Sequence, residues 1–243
     1  MVEKETLQPV FSLPLVENPP FKKNLIKSAI CELRFPILTS LRSQPAPDNF
    51  STALRGPYPY YEQGFVIAPG QNEAELAHVF KTRDRHWTVS LRQAAVSLET
   101  DTYASFEDFE KKLGKLVEIL LPLLDTSFFT RVGLRYVNVV PMHRGELTGW
   151  LNPKLHGLSM TPELGHLDRA WSELVGRTEI GRYNLRWGFP NERSHELILD
   201  TDFYAEDVDA ENLMKVLPKL HDQSFALFRW CLDNKAITLM NGG

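Results

Sequence analysis

The sequence is poor in the residues that usually mark a chemical function. Its only cysteines are Cys31 and Cys231, and two thiolates are too few for a zinc site held by cysteine. The Gly-x-Ser-x-Gly, Gly-x-Gly-x-x-Gly and Walker motifs are absent, and none of the 7 histidines has the His-x-x-x-His spacing of a helical metal site. We therefore expect no cofactor and no bound metal.

Long apolar runs and a strong charge of one sign are also missing. No stretch approaches the roughly 20 apolar residues of a membrane-spanning helix, and the N-terminus lacks the basic and apolar segments of a signal peptide. A length of 243 residues with 43% hydrophobic and 24% charged residues is typical of a soluble globular protein. The net charge of −4 gives no general attraction to nucleic acid or anionic membranes. We expect a cytoplasmic protein that does not bind membranes.

The sequence does contain a short internal repeat. Residues 131–140 are rich in β-branched and aromatic side chains and predict a strand. Within them, Leu134-Arg135-Tyr136 repeats Leu33-Arg34-Phe35 at an offset of 135 minus 34, or 101 positions. The same offset brings residues 99–104 onto residues 200–205. Two segments that share one offset predict an internal duplication.

Hydrophobic periodicity predicts the same elements in each half: a strand, a short helix, three strands and a long helix. In half one these cover residues 25–37, 48–54, 76–82, 86–92, 95–100 and 105–121. In half two they cover residues 131–140, 150–155, 167–179 (strand or helix), 180–187, 196–201 and 209–232. Ser105 and Asp108 resemble an N-terminal cap. We expect Pro122 to kink the first long helix or end it near Leu121, and Pro218 to kink the second helix or mark where it begins.

These elements favour a single α+β domain with an antiparallel sheet and both long helices on one face. Half one would cover about residues 25–125 and half two about residues 126–233, after an extended, proline-punctuated arm at residues 1–24. The predicted arrangement resembles the pseudo-symmetric saddle of the TATA-binding-protein class. That likeness concerns the fold and implies no function.

Four segments of the sequence carry a resemblance to one family of proteins. They are Asn18-Pro19-Pro20, the strand at residues 30–35, the Gly133-Leu134-Arg135-Tyr136-x-Asn138 segment and residues 197–202. With them, the chain resembles a sporadically distributed family of uncharacterised prokaryotic proteins of about this length. Residues 236–239 depart from the family, which has an arginine-containing helix end there. The resemblance implies a mobile-element or defence context by association, and no activity.

Strand alternation predicts which side chains occupy the sheet face that the helices leave open. They are Arg34, Glu99 and Asp101 in half one, and Arg135, Asp200 and Asp202 in half two. We expect each arginine to lie beside an acid from a neighbouring strand of its own half. Ion pairs on a half-exposed sheet are the simpler interpretation, because they are common and weak. The alternative is a cation or acid–base site formed by the aspartates.

The most aromatic stretch is Tyr58-Pro59-Tyr60-Tyr61, which lies among prolines and glycines. A loop pinned to the core by its tyrosines explains it most simply. A stacking platform for a base or another ring is the alternative.

We therefore predict a non-enzymatic binding protein that acts on another protein. The expected surfaces are the open face, with Arg34 and Arg135, and the tyrosine cluster of Tyr58, Tyr60 and Tyr61. Two alternatives stay open. One is a metal-dependent hydrolase or nuclease using Asp101, Asp200 and Asp202. The other, which the net charge does not favour, is a nucleic-acid-binding saddle using Arg34, Arg92, Arg135, Arg182 and Arg186.

The sequence leaves the oligomeric state open. It ends in Gly242-Gly243, where a flexible terminus is a simpler interpretation than a conjugation tail.

Overall fold

A computed structural model describes residues 11–15, 21–39, 46–66, 74–124, 126–142, 146–157, 162–165, 167–190 and 196–242. Its strands are β1 (Ile26–Arg34), β2 (Tyr60–Val66), β3 (Glu75–Lys81), β4 (Trp87–Arg92), β5 (Ala95–Thr100), β6 (Phe128–Pro141), β7 (Ala170–Arg177), β8 (Arg182–Phe189) and β9 (Glu196–Asp209). Its α-helices are α1 (Asp48–Leu54), α2 (Phe106–Leu120), α3 (Leu213–Cys231) and α4 (Asn234–Met240). None of the helices in this part of the chain is long and apolar enough to cross a membrane.

All the strands form one antiparallel sheet in the order β2-β3-β4-β5-β1-β6-β9-β8-β7. Strands β1 and β6 pair in the middle. Every strand up to residue 100 therefore lies on one side of this junction, and every strand after residue 128 lies on the other. The predicted α+β class and antiparallel sheet are confirmed.

The buried face of the sheet follows from alternation along each strand. Ala29, Cys31 and Leu33 in β1 are fully buried, as their predicted positions on one face require. A row of directly paired residues crosses six strands on that face. It consists of Trp87, Thr100, Ala29, Tyr136, Thr201 and Leu185. Both long helices contact this row, because Phe109 of α2 packs on Trp87 and Ser224 of α3 hydrogen-bonds to Thr201.

Helix α2 begins and ends where the sequence predicts. The Ser105 side chain caps it by accepting a hydrogen bond from the Asp108 backbone N–H at 3.2 Å. The α-helix ends at Leu120 and continues as a 3₁₀ turn over Leu121–Leu123, because Pro122 cannot donate the next backbone hydrogen bond. Helix α3 instead contains Pro218 in its interior, so it does not begin at that residue.

Both edge strands of the sheet differ from the sequence prediction, which gave a loop for one and left the other open between strand and helix. Residues 60–66 form β2, although the sequence predicts a loop there, and residues 170–177 form the strand β7. Neither has a clean alternation of apolar and polar residues, since Tyr60-Tyr61 and Phe65-Val66 in β2 and Leu174-Val175 in β7 are adjacent apolar pairs. Pairing with β3 and with β8 supplies the order that the local sequence does not specify.

Three other segments differ from their predicted form. Strand β9 runs through Asp209, well beyond the predicted end at Thr201, because β6 pairs with it along its whole length. Of the short helix predicted at residues 150–155, only a 3₁₀ turn at Pro153–Leu155 forms. Helix α4 was not predicted at all. Most of the predicted arm, the Asn18-Pro19-Pro20 segment and Gly243 lie outside the described residues.

The single offset of 101 does not describe the register of the sheet. Helices α2 and α3 begin at Phe106 and Leu213, which are 213 minus 106, or 107 positions apart. Arg34 pairs with Ala95, whereas Arg135 pairs with Asp202, and 202 minus 95 is again 107. If Arg34 and Arg135 are equivalent, strands β5 and β9, like the two long helices, are therefore related by 107. The two predicted matches, Arg34 to Arg135 and residues 99–104 to residues 200–205, therefore cannot both hold in the register of the sheet.

Candidate functional site

No helix from the described residues covers the sheet face opposite α2 and α3. Its centre is occupied by four charged side chains from different strands, which we call the charge ladder: Arg92, Glu32, Arg131 and Asp202. Arg92 donates to Glu32, and Arg131 donates to Glu32 at 3.5 Å and to both oxygens of Asp202 at 2.8 and 2.9 Å. Arg34 adds a third hydrogen bond to Glu32 at 2.7 Å. The ladder thus ties half one to half two.

Two small residues give the arginines of the ladder room to reach their partners. Ala95 of β5 lies between β4 and β1 in the sheet register, so the Arg92 side chain can extend across β5 to Glu32. A Cβ atom on Gly133 would lie 2.2 Å from the Arg131 Nη1 atom. The Arg131 guanidinium occupies that space and lies 4.4 Å from the centre of the Tyr204 ring.

The pKa values of the two acids of the ladder are shifted in opposite directions. Burial acts to raise the pKa of Glu32, but the charges of Arg34, Arg92 and Arg131 outweigh it, so this pKa lies below its ordinary value of 4.5. For Asp202, burial is also the largest influence and outweighs the neighbouring arginines, so its pKa lies above the ordinary value of 3.8. Glu32 is therefore the acid whose charge the folded protein favours.

The predicted pairing of the arginines with acids is confirmed in half two and wrong in half one. Arg135 donates from Nε and Nη2 to the two oxygens of Asp200 on β9, at 2.8 and 2.7 Å. Arg34 pairs with Glu32 of its own strand. The reason is the register, which places Ala95 opposite Arg34 on one side and Arg131 on the other. Glu99 instead accepts a hydrogen bond from Ser28.

The structure does not bring the three predicted aspartates together. Asp101 lies just beyond β5 and forms a 2.7 Å contact with the Nδ1 atom of His86. Asp200 and Asp202 are each held by an arginine. Within the described ranges, no group of three or more His, Cys, Asp or Glu side chains is arranged to hold a metal ion.

The three tyrosines do not form one platform. Tyr58 is buried in the core. Tyr60 and Tyr61 begin β2, so strand alternation turns their side chains to opposite faces. Tyr61 contacts His78 Nδ1 at 3.0 Å on the helix side, and Tyr60 lies under the Arg85 guanidinium. The interpretation of these residues as a pinned loop holds only for Tyr58.

Each arginine of the predicted nucleic-acid surface lies beside a carboxylate. The pairs are Arg34–Glu32, Arg92–Glu32 and Arg92–Glu75, Arg135–Asp200, Arg182–Glu206 and Arg186–Glu173. A phosphate would therefore have to compete with an acid already in place, which reduces the electrostatic attraction to a nucleic acid.

The open face also has an apolar row that sequence reasoning missed. Val139, Ile198, Gly188 and Trp171 lie opposite one another across β6, β9, β8 and β7. Trp171, at the end of this row, is 40% exposed, and Val175 on the same face of β7 is 67% exposed. The row joins four strands that are distant in sequence, so only the sheet order reveals it.

A second site lies on the other side of the sheet, between the sheet and the helices. It is a pocket of about 340 Å³, which we call the sheet–helix pocket. Its lining residues are Phe21, Lys23, Asn24, Ile26, residues 103–107, Tyr136, Asn138, Thr201, His221, Ser224, Phe225, Phe228 and Met240. Sequence reasoning did not find it. The available signal was the change from apolar to polar side chains on the buried face, at Tyr136 and Asn138 in β6 and at Thr201 in β9.

Paired hydrogen bonds form the floor of this pocket. The Tyr136 hydroxyl contacts His221 Nδ1 at 2.9 Å, and the hydroxyls of Thr201 and Ser224 are 2.9 Å apart. Thr201 and Ser224 are almost completely buried. Asn138, also buried, donates to the Leu199 carbonyl at 3.3 Å.

The floor of the pocket carries no charge near neutral pH. Burial lowers the pKa of His221, although Asp222 and Glu107 act in the opposite direction. Burial also raises the pKa of Tyr136 well above its ordinary value. The His221 ring lies flat on Phe106, with ring centres 4.1 Å apart. The pocket therefore presents neutral hydrogen-bonding groups and aromatic rings.

No protein-family model matches this chain, and no curated protein is similar enough to count as a match. Membership in the prokaryotic family suggested by the segment around Gly133 stays a prediction. A function is therefore inferred from the charge ladder, the apolar row and the sheet–helix pocket.

Proposed function

We propose that the protein is a non-enzymatic binding protein that docks another protein against its open sheet face. The observation that carries this proposal is the apolar row, which ends at the exposed Trp171 on a face that no described helix covers. Tryptophan and arginine are enriched among residues that dominate interface energies. The Arg186 guanidinium lies 5.5 Å from the Trp171 ring, so both residue types meet at this point.

The charges of the open face support a protein partner over a polyanion. Its arginines are already neutralised by neighbouring acids, so the face offers little long-range attraction to phosphates. A partner with an apolar patch and ordinary polar groups around it would match a surface of this kind.

An internal duplication with saddle symmetry is part of the same proposal. The order β2-β3-β4-β5-β1 on one side is mirrored by β6-β9-β8-β7 on the other. In this proposal an offset of 101 relates β1 to β6, and an offset of 107 relates β5 to β9 and α2 to α3. Half two then has no described counterpart of β2. Its outermost strand is β7, which explains why Trp171 and Val175 are exposed there.

A capture experiment with a matched pair of variants tests the docking face. The full chain serves as bait in an extract of its native host, and captured proteins are identified by mass spectrometry. The principal partner is then purified and its affinity measured. We expect Trp171→Ser to weaken binding at least tenfold. We expect no change from the control Leu174→Ser, which is 47% exposed on the opposite face of the same strand.

Three results would overturn the proposal. Equal weakening by Leu174→Ser would show that the open face is not the docking surface. Oligonucleotide binding that falls steeply with salt and is lost in Arg135→Ala would favour the nucleic-acid saddle. Tight Mn²⁺ binding that is lost in Asp202→Ala would favour the metal-dependent hydrolase.

A further inference from the structure

We infer that the sheet–helix pocket binds an uncharged, planar aromatic molecule of two or three fused rings. This site lies on the side of the sheet opposite the proposed docking face. The inference is therefore independent of the proposed function, and either can fail without the other.

The size of the pocket sets the size of the ligand. A cavity of about 150 Å³ accommodates benzene, and small-molecule pockets begin at about 300 Å³. The pocket has a volume of about 340 Å³, which is too large for a single ring to fill and matches two or three fused rings.

The aromatic walls suit a flat ligand. Phe106 and His221 already stack face to face within the lining, with an interplanar angle of 4°. Phe225 lies between Phe21 and Phe228, with ring centres 6.2 and 6.4 Å away. Side chains of this type bind planar rings by offset stacking and edge contacts.

The polar floor points to a ligand that also forms hydrogen bonds. Buried polar side chains lower stability unless they are paired, so apolar residues would be simpler choices on this face. Thr201 and Ser224 pair with each other, yet each hydroxyl keeps further acceptor capacity. Both side chains line the pocket. They are thus placed to bind a polar atom, such as a ring N–H, at the edge of an aromatic ligand.

The distribution of charge excludes a strongly ionic ligand. Lys23 and Glu107 are the charged side chains of the lining, and they are exposed and opposite in sign. The first turn of α2 already contains Glu107 and Asp108, so its N–H groups attract no further anion. A charged ligand would lose its hydration against a neutral floor, which is unfavourable.

Titration of the full ¹⁵N-labelled chain with indole tests the inference. We expect saturable shifts of the backbone amide signals of Ser105, Glu107, His221 and Ser224. Ala104→Trp places a large ring at the exposed rim of the pocket and should weaken indole binding at least tenfold. The matched control Ala53→Trp, on the exposed side of α1, should bind indole as the wild type does.

Two further measurements test the hydrogen-bonding and charge requirements. Thr201→Val removes one hydroxyl at nearly constant volume and should weaken indole binding several-fold. Indole-3-acetate should bind at least tenfold more weakly than indole. The Thr201→Val arm keeps the test decisive if Ala104→Trp does not fold.

Three outcomes would overturn the inference. The first is the absence of saturable indole shifts in the pocket. The second is equal or tighter binding of indole-3-acetate. The third is tighter binding of the peptide Gly-Gly-Trp-Gly-Gly than of indole, which would show that the pocket receives a side chain of a partner protein.

Discussion

The two halves of the sheet neutralise their open-face arginines in different ways. In half one, the single carboxylate of Glu32 accepts hydrogen bonds from Arg34 and Arg92, and also from Arg131 across the junction. In half two, separate aspartates serve Arg131 and Arg135, each through both oxygens. Half one neutralises its arginines with one acid, whereas half two uses two acids.

This difference shows that the two copies of a repeated motif can have different ion-pair partners. Both halves contain a Leu-Arg-aromatic segment, but Arg34 faces Ala95 and Arg135 faces Asp202. The neighbouring strand, not the motif, decides which acid is within reach.

The comparison predicts that the largest loss of stability follows from removing Glu32. Glu32→Gln leaves the guanidinium of Arg92, whose side chain is only 9% exposed, without its main partner and weakens two further contacts. We expect the free energy of unfolding to fall by about 3 kcal/mol in urea denaturation. Glu62→Gln breaks a pair with Lys81 in which the Glu62 side chain is 59% exposed, and it should leave the midpoint nearly unchanged. Equal effects of the two changes would contradict a concentrated role for Glu32.

The junction between the halves should be nearly as sensitive. In Gly133→Ala the new methyl group displaces the Arg131 guanidinium from Glu32 and Asp202, and we expect a loss of about 2 kcal/mol. Gly64→Ala, a control with open space around the new Cβ, should cost little. In an Arg131→Ala background the Gly133→Ala change should also cost little. A full loss in that background would show that the guanidinium is not what the glycine accommodates.

Substitution of the two repeated arginines, Arg34 and Arg135, should cause smaller and unequal losses of stability. Arg135→Ala removes the bidentate partner of Asp200, whose side chain is only 10% exposed, and should cost about 1.5 kcal/mol. Arg34→Ala should cost about 0.5 kcal/mol, because Glu32 keeps Arg92 and Arg131. Chemical denaturation of both variants provides the measurement. Equal losses would mean that the halves compensate their charges in the same way.

The smallest predicted effect is a dependence of stability on pH. The pKa of Glu32 is lowered in the folded protein, so its charge stabilises the fold fully above the unfolded pKa. That contribution is lost as the pH falls through the lower folded pKa. The difference in unfolding free energy between wild type and Glu32→Gln should therefore shrink between about pH 5 and pH 3. A difference that stays constant over this range would contradict the role of the Glu32 charge.

Local patterns were sufficient to predict several parts of this protein. The buried face of β1, the cap and end of α2 at Ser105 and Pro122, and the antiparallel α+β class all follow from the sequence. Each depends on residues within a few positions of one another, where alternation, capping and proline geometry act directly.

The tertiary structure alone decided the pairing partners and both candidate sites. Strand β2, the choice of Glu32 by Arg34, the apolar row ending at Trp171 and the sheet–helix pocket all depend on strand order and register. Those features bring together residues that are distant in sequence, such as Tyr136 and His221. Because a shift in register changes every partner on a strand, local sequence patterns determined the faces of this sheet, and only the assembled sheet determined what meets on them.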